Sequence, residues 1–165
     1  MTIATEHAAV LDTVEAMRRK GRAVTILPVG TDGLVDAEEA ARAIVPGVAI
    51  VVAMLVNNEI GVIQPVETLA DLAHRAGALF LCDAVQGFGR LDMPTRADMI
   101  AISGHKIHGP KGVGALWLRE GLDLPPLIHG GGQEGGLRSG TLSPALCVGM
   151  GEATRMMREK RGADA

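Results

Sequence analysis

The feature that most constrains this chain is an unbroken apolar run, Val48-Ala49-Ile50-Val51-Val52-Ala53-Met54-Leu55-Val56. An apolar run without alternation suits a strand buried on both faces, as in a parallel sheet covered by helices. It is too short to span a bilayer. Polar residues follow it at once, in Asn57-Asn58-Glu59. The arrangement recurs twice. Ala78-Leu79-Phe80-Leu81-Cys82 runs into Asp83-Ala84-Val85-Gln86, and Asp98 to Ser103 runs into Gly104-His105-Lys106.

Helical patterns separate these strands. Val10, Leu11, Val14 and Met17 fall at helical spacing between Ala8 and Lys20, with Gly21 as a stop. A strand is expected over 23–29. Asp36, followed three residues later by Glu39, opens a helix to about Val45, which Pro46-Gly47 ends. Pro65 opens another through Leu69, Leu72 and Ala73 to Gly77. Val113 to Leu118 reads as an antiparallel return after the turn at Gly109-Pro110, and a last helix runs from Ser143-Pro144 towards Lys160. Strands alternating with helices predict an α/β fold, a largely parallel sheet flanked by helices, in a single domain over residues 1–165.

Composition narrows the function. The net charge is −3 and no basic block stands out, which argues against nucleic-acid binding. Cys82 and Cys147 are too few for a disulfide framework and suit a reducing cytosol. The first residues, Met1 to His7, show no basic segment leading into an apolar one, so no secretory signal is read there. The expectation is a cytoplasmic chain with no membrane segment. With 22 Gly and 8 Pro, it must also make many sharp turns or close approaches.

In such sheets ligands bind beyond the carboxyl ends of the strands. Singly, an Asn after a strand is a turn former and an Asp there is a helix cap. Together, the three strand ends gather an amide, a carboxylate and an amine. Pyridoxal phosphate (PLP) is complementary to that set: a lysine for its aldehyde, a carboxylate for its ring nitrogen, donors for its phenolic oxygen and phosphate, and a flat side chain over the ring. Lys106, Asp83, Asn58 or Gln86, Ser103 and His7 could serve in that order.

Six ordered segments carry a resemblance. They are Thr5-Glu6-His7, Asn57 to Gln64, Asp83-Ala84-Val85-Gln86, Ser103 to Gly112, His129 to Glu134, and Arg138-Ser139-Gly140-Thr141. The chain closely resembles the cysteine desulfurases of the NifS/IscS type, in the class V aminotransferase fold. The resemblance implies that Lys106 carries the cofactor and that Asp83 faces its ring nitrogen. It implies that Asn58 and Gln86 bond the phenolic oxygen, and that His7 stacks on the ring and moves protons. Ser103 and His105 would contact the phosphate, while Thr141 would reach the phosphate of a neighbouring subunit, which requires a homodimer.

It further implies conversion of L-cysteine to L-alanine, with sulfur passed to an acceptor such as an iron–sulfur scaffold. Family members are longer, and the match falls on the middle of the cofactor-binding large domain. The upstream phosphate loop and the small C-terminal domain, with its sulfur-accepting cysteine and substrate-gripping arginine, lie outside it. The alternatives are a selenocysteine lyase or aminotransferase of the same fold, or a silent fragment that dimerises or binds a partner. Cys82 and Cys147 are both expected to be packed rather than reactive.

Rival motifs fail on context. Gly130 to Gly135 fits a dinucleotide pattern, but no helix starts after it. Gly104 to Lys111 lacks the Ser or Thr of a Walker loop. His105 and His108 have no Cys or carboxylate cluster beside them, so no metal is expected. His74 is expected to be a surface residue.

Overall fold

The computed structural model describes residues 1–161; the expected domain's last four positions lie outside the described residues. The elements are β1 (Thr2–Ile3), α1 (Ala8–Arg19), β2 (Ile26–Leu27), α2 (Ala37–Ala43), β3 (Ile50–Met54), α3 (Val66–Arg75), β4 (Leu79–Asp83), β5 (Met99–Ser103), β6 (Gly114–Leu118) and α4 (Pro144–Lys160). Strands β3, β4 and β5 are parallel neighbours, and β6 closes that sheet antiparallel, with Ser103 opposite Gly114. A second, two-stranded parallel sheet pairs β1 with β2. It joins the first along β3, where the Val52 N–H donates to the Met1 carbonyl at 2.9 Å.

The apolar run behaves as its composition requires. Val51 and Ala53 are fully buried, and so are Phe80 and Cys82 on β4. Helix α3 turns Val66, Leu69, Ala70, Leu72 and Ala73 onto the sheet. Truncating Leu69 there would cost about 2–5 kcal/mol, because its cavity cannot collapse. Helix α2 starts at Asp36, whose carboxylate accepts the N–H groups of Glu38 and Glu39 at 2.7 and 2.9 Å.

Two expectations need correction, and a third gains a partner. The strand expected over 23–29 is only Ile26–Leu27, and β1 was not foreseen because two residues show no periodicity. Thr2 and Ile3 are nevertheless fully buried, since β1 lies between β2 and β3. His74 is exposed, as expected, and it also has a partner: its Nε2 lies 2.9 Å from Oδ2 of Asp98, a fully buried carboxylate. Cys147 is exposed on α4 instead of packed, because the core cluster lies between Ile3 and Ile100 and α4 buries only Met150.

Candidate active site

The carboxyl ends of β1, β3, β4 and β5 open towards one side, and each releases polar residues there. Asp83 is the last residue of β4. Its Oδ1 accepts the Val85 N–H at 2.9 Å, which fixes the carboxylate at the start of the turn that carries Gln86. Asp83 and Gln86 are both half-buried, so each remains open to a ligand.

After β3 the two asparagines divide their work. Asn57 is buried, donates from Nδ2 to the Thr5 carbonyl at 2.7 Å, and accepts the N–H groups of Glu59 and Ile60. It is a turn former, as Asn after a strand often is. Asn58 is exposed, and among the described residues its side chain has no hydrogen-bond partner. Gln64, in the same segment, is buried and bonds Val35 and Gly33, so it ties the β2–α2 connection to this turn.

β5 runs directly into a 3₁₀ turn, Gly104–Ile107, which carries Lys106. His108 ends that turn in the left-handed region, at φ 63°. Its neighbour Gly109 could not be alanine without movement, because a Cβ there would sit 2.8 Å from the Gly104 carbonyl oxygen. Behind the turn, α4 presents Gly149 and Ala153 to Pro110 and Gly109. Lys106 is half-buried, and no hydrogen bond ties its ammonium within the described residues. Ser103 Oγ and His105 Nδ1 are 2.8 Å apart, so hydroxyl and imidazole form one polar unit beside it. Arg90 bridges both loops, donating to the carbonyls of Gln86 and Lys106 at 3.3 and 3.2 Å.

His7 follows β1 and caps α1, its Nδ1 accepting the Ala9 N–H at 3.1 Å. That bond fixes the tautomer with the proton on Nε2 and holds the exposed ring in place. Glu6, just before it, is buried, and burial raises its carboxyl to about 7, against the Met54 N–H that favours the anion and with Asp83 adding to the rise. Thr141 is exposed in the glycine-rich connection before α4. Among the described residues, no three His, Cys, Asp or Glu side chains form a metal-ligating cluster. No helix among them is long and apolar enough to cross a membrane.

Cys82 is fully buried, and burial pushes its thiol far above the ordinary range, with Asp83 and Glu6 adding to the effect. It is no nucleophile. Three contributors were not legible as such in the sequence: Glu6, Gln64 and Arg90. Glu6 and Gln64 each had a signal, inside the Thr5-Glu6-His7 and Asn57 to Gln64 segments, and Arg90 had none.

A mostly parallel α/β sheet with a lysine turn, a strand-end carboxylate and polar turns on one side defines a class of ligand-binding α/β enzyme fold. The chain belongs to the class V aminotransferase family, whose model matches residues 1–165. It is 49% identical over 160 residues to a cysteine desulfurase of Cereibacter sphaeroides, covering 94% of this chain and 41% of that protein. It is 44% identical over 165 residues to the mitochondrial cysteine desulfurase of Saccharomyces cerevisiae, covering 97% of this chain and 33% of that one. A solved NifS-like protein superposes with a TM-score of 0.93 at 39% identity, over 98% of this chain and 46% of its own. SspA in complex with cysteine superposes with a TM-score of 0.88 at 41% identity, over 93% of this chain and 46% of its own. The chain thus spans about a third to two-fifths of the length of these curated relatives.

The names also correct one expectation. The cysteine desulfurase of Saccharomyces cerevisiae is named mitochondrial and that of Trachipleistophora hominis mitosomal, against the cytoplasmic location expected here. Charge and cysteine count describe the folded domain. Compartment is addressed by separate targeting segments, so those two quantities do not carry it.

Proposed function

We propose that this chain is the cofactor-binding portion of a pyridoxal-phosphate-dependent cysteine desulfurase, which releases L-alanine from L-cysteine and passes the sulfur to an acceptor. The observation that carries the proposal is the strand-end set itself. Asp83, Asn58, Gln86 and Lys106 all lie at the carboxyl ends of β3, β4 and β5 or in the turns just beyond, and the side chains of the last three have no partner within the described residues. A carboxylate, two amides and an amine offer the donors and the acceptor that the ring nitrogen, phenolic oxygen and aldehyde of PLP require, so the residues fit the group. When bound, PLP supplies an electron sink for the substrate carbon.

The chain's own residues then have separate tasks. Lys106 holds the cofactor and is placed to take or return the α-proton at its Nζ. Asp83 keeps the ring nitrogen protonated, since a nearby negative charge stabilises the cation. Asn58 and Gln86 donate to the phenolic oxygen. The Ser103–His105 pair binds phosphate. His7 would serve as the flat side chain against the ring, with its Nε2 available for proton transfer. Thr141, exposed on its loop, serves the phosphate of a second copy in a homodimer. Leu127, Leu142 and Val148 on either side of it, at 87%, 41% and 71% exposure, support an apolar contact there. The substrate assignment is supported by the relatives' names and by the neighbour solved with cysteine. An iron–sulfur scaffold is the proposed class of acceptor.

The test is chemical. With PLP added, borohydride reduction is expected to fix the cofactor on Lys106 and to fail in Lys106→Ala but not in Lys111→Ala. Labelling of Lys111 or Lys20 in its place would overturn the assignment.

A further inference from the structure

Glu6 is a buried ionisable group beside the site that the proposed chemistry leaves without a task. Its side chain is 6% exposed. One oxygen, Oε1, accepts the Met54 N–H at 2.6 Å. The other, Oε2, is out of reach of solvent and has no hydrogen-bond partner. Met54 ends β3 and stands opposite Asp83 in the β3–β4 register, and the Leu55 N–H donates to the Asp83 carbonyl. The Glu6 carboxylate is therefore bonded to β3, the strand that pairs with Asp83, and Glu6 immediately precedes His7. No Lys, Arg or His pairs with it among the described residues.

An ionised carboxylate with a bare, desolvated oxygen is costly, so such a group keeps its proton instead. No side-chain cation offsets that cost: β4 offers only Asp83 and the thiol of Cys82, β3 offers a single backbone amide, and the first turn of α1 carries no charged side chain. The Met1 ammonium is committed to the Ile50 carbonyl, at the far end of β3.

We propose that Glu6 is a positioning residue, a neutral carboxylic acid that ties the His7 turn to β3 and keeps a second negative charge away from Asp83. It touches neither cofactor nor substrate. It acts through His7, whose ring it holds in register, and through Asp83, whose charge it leaves undisturbed. This rests on the cofactor assignment above. Ionising Glu6 would put a bare charge beside Asp83 and push the turn off β3, so the site should loosen as pH rises through about 7.

The experiment compares the full chain with Glu6→Gln, which keeps shape and neutrality. Carboxyl-detected NMR of the wild-type protein should show Glu6 titrating near pH 7. The PLP dissociation constants of the two proteins should agree within about twofold at pH 6, and wild type should bind about fivefold more weakly at pH 8.5. Their ratio cancels the titrations of PLP and of Lys106, which both proteins share. A Glu6 midpoint in the ordinary carboxylate range, or a flat ratio with Lys106 still labelled by borohydride, would overturn the role of Glu6 alone. Failure to label Lys106 in either protein would instead remove the cofactor assignment, and with it the site that Glu6 serves.

Discussion

At the amino end of the sheet Asp98 is fully buried, and partners meet both of its oxygens. At the carboxyl end Glu6 is buried with one oxygen bare. Asp98 Oδ2 accepts the Phe80 N–H at 2.7 Å and faces His74 Nε2 at 2.9 Å. Its Oδ1 accepts no hydrogen bond but forms an ion pair with Arg119 Nε at 2.8 Å. Burial alone would raise this carboxyl, but the Phe80 N–H, His74 and Arg119 together outweigh it and hold it below the ordinary range. Glu6 has one such partner, and burial wins. A polar group whose needs are met inside the chain belongs to the scaffold. One left short is set aside for something else.

The largest effect should come from breaking the satisfied end. Asp98→Ala leaves the buried Phe80 N–H without an acceptor, while the partly exposed His74 and Arg119 can turn to water, and urea unfolding is expected to show a loss of about 3 kcal/mol. A loss under 1 kcal/mol would mean that the amino end is no more buttressed than the site.

The next effect separates the two ends by pH. Glu6 binds its proton more tightly folded than unfolded, so its contribution to stability is full below pH 4.5 and falls as pH rises to about 7. The fall should be about 3 kcal/mol. Asp98 works in the other direction. Its contribution is present above its unfolded pKa and is lost as pH falls through the depressed folded value. Unfolding measured from pH 4 to pH 8 should therefore decline across the neutral limb in wild type and stay level there in Glu6→Gln. A decline that survives the substitution would assign that limb to another group.

A smaller effect concerns Asp83, which is half-buried and has one internal bond. Asp83→Asn should change stability by less than about 0.5 kcal/mol, as is usual for sites that lose no buried partner. PLP should bind about tenfold more weakly, a difference of about 1.4 kcal/mol. The reverse pattern, lost stability with unchanged binding, would move Asp83 from the site to the scaffold.

The smallest is an expected zero. With PLP present, alanine release from L-cysteine should match that of PLP alone, both in wild type and in Cys147→Ser. Cys82 is sealed in β4, and Cys147, though exposed, sits on a regular helix rather than a mobile arm that could bring a thiol to the substrate sulfur. Steady release that disappears in Cys147→Ser would make the thiol of Cys147 an acceptor.

Much of this molecule was legible from its residues. The unbroken run at Val48 to Val56, the Pro65 and Gly77 that bound α3, and the polar residues after each strand are local signals, written in hydrophobic period and turn chemistry. They placed β3, β4, β5 and the Lys106 turn to within a residue or two. Partnership and burial are not local. β1 is a strand only because β2 and β3 flank it, and of the two adjacent asparagines it is Asn57 that meets the Thr5 carbonyl across the fold. His74 owes its partner to Asp98, which lies 24 positions away along the chain. The sequence determined which groups arrive at each end of the sheet. The tertiary structure decided which of them are satisfied there, because a carboxyl group's protonation depends on neighbours that only folding brings within hydrogen-bond distance.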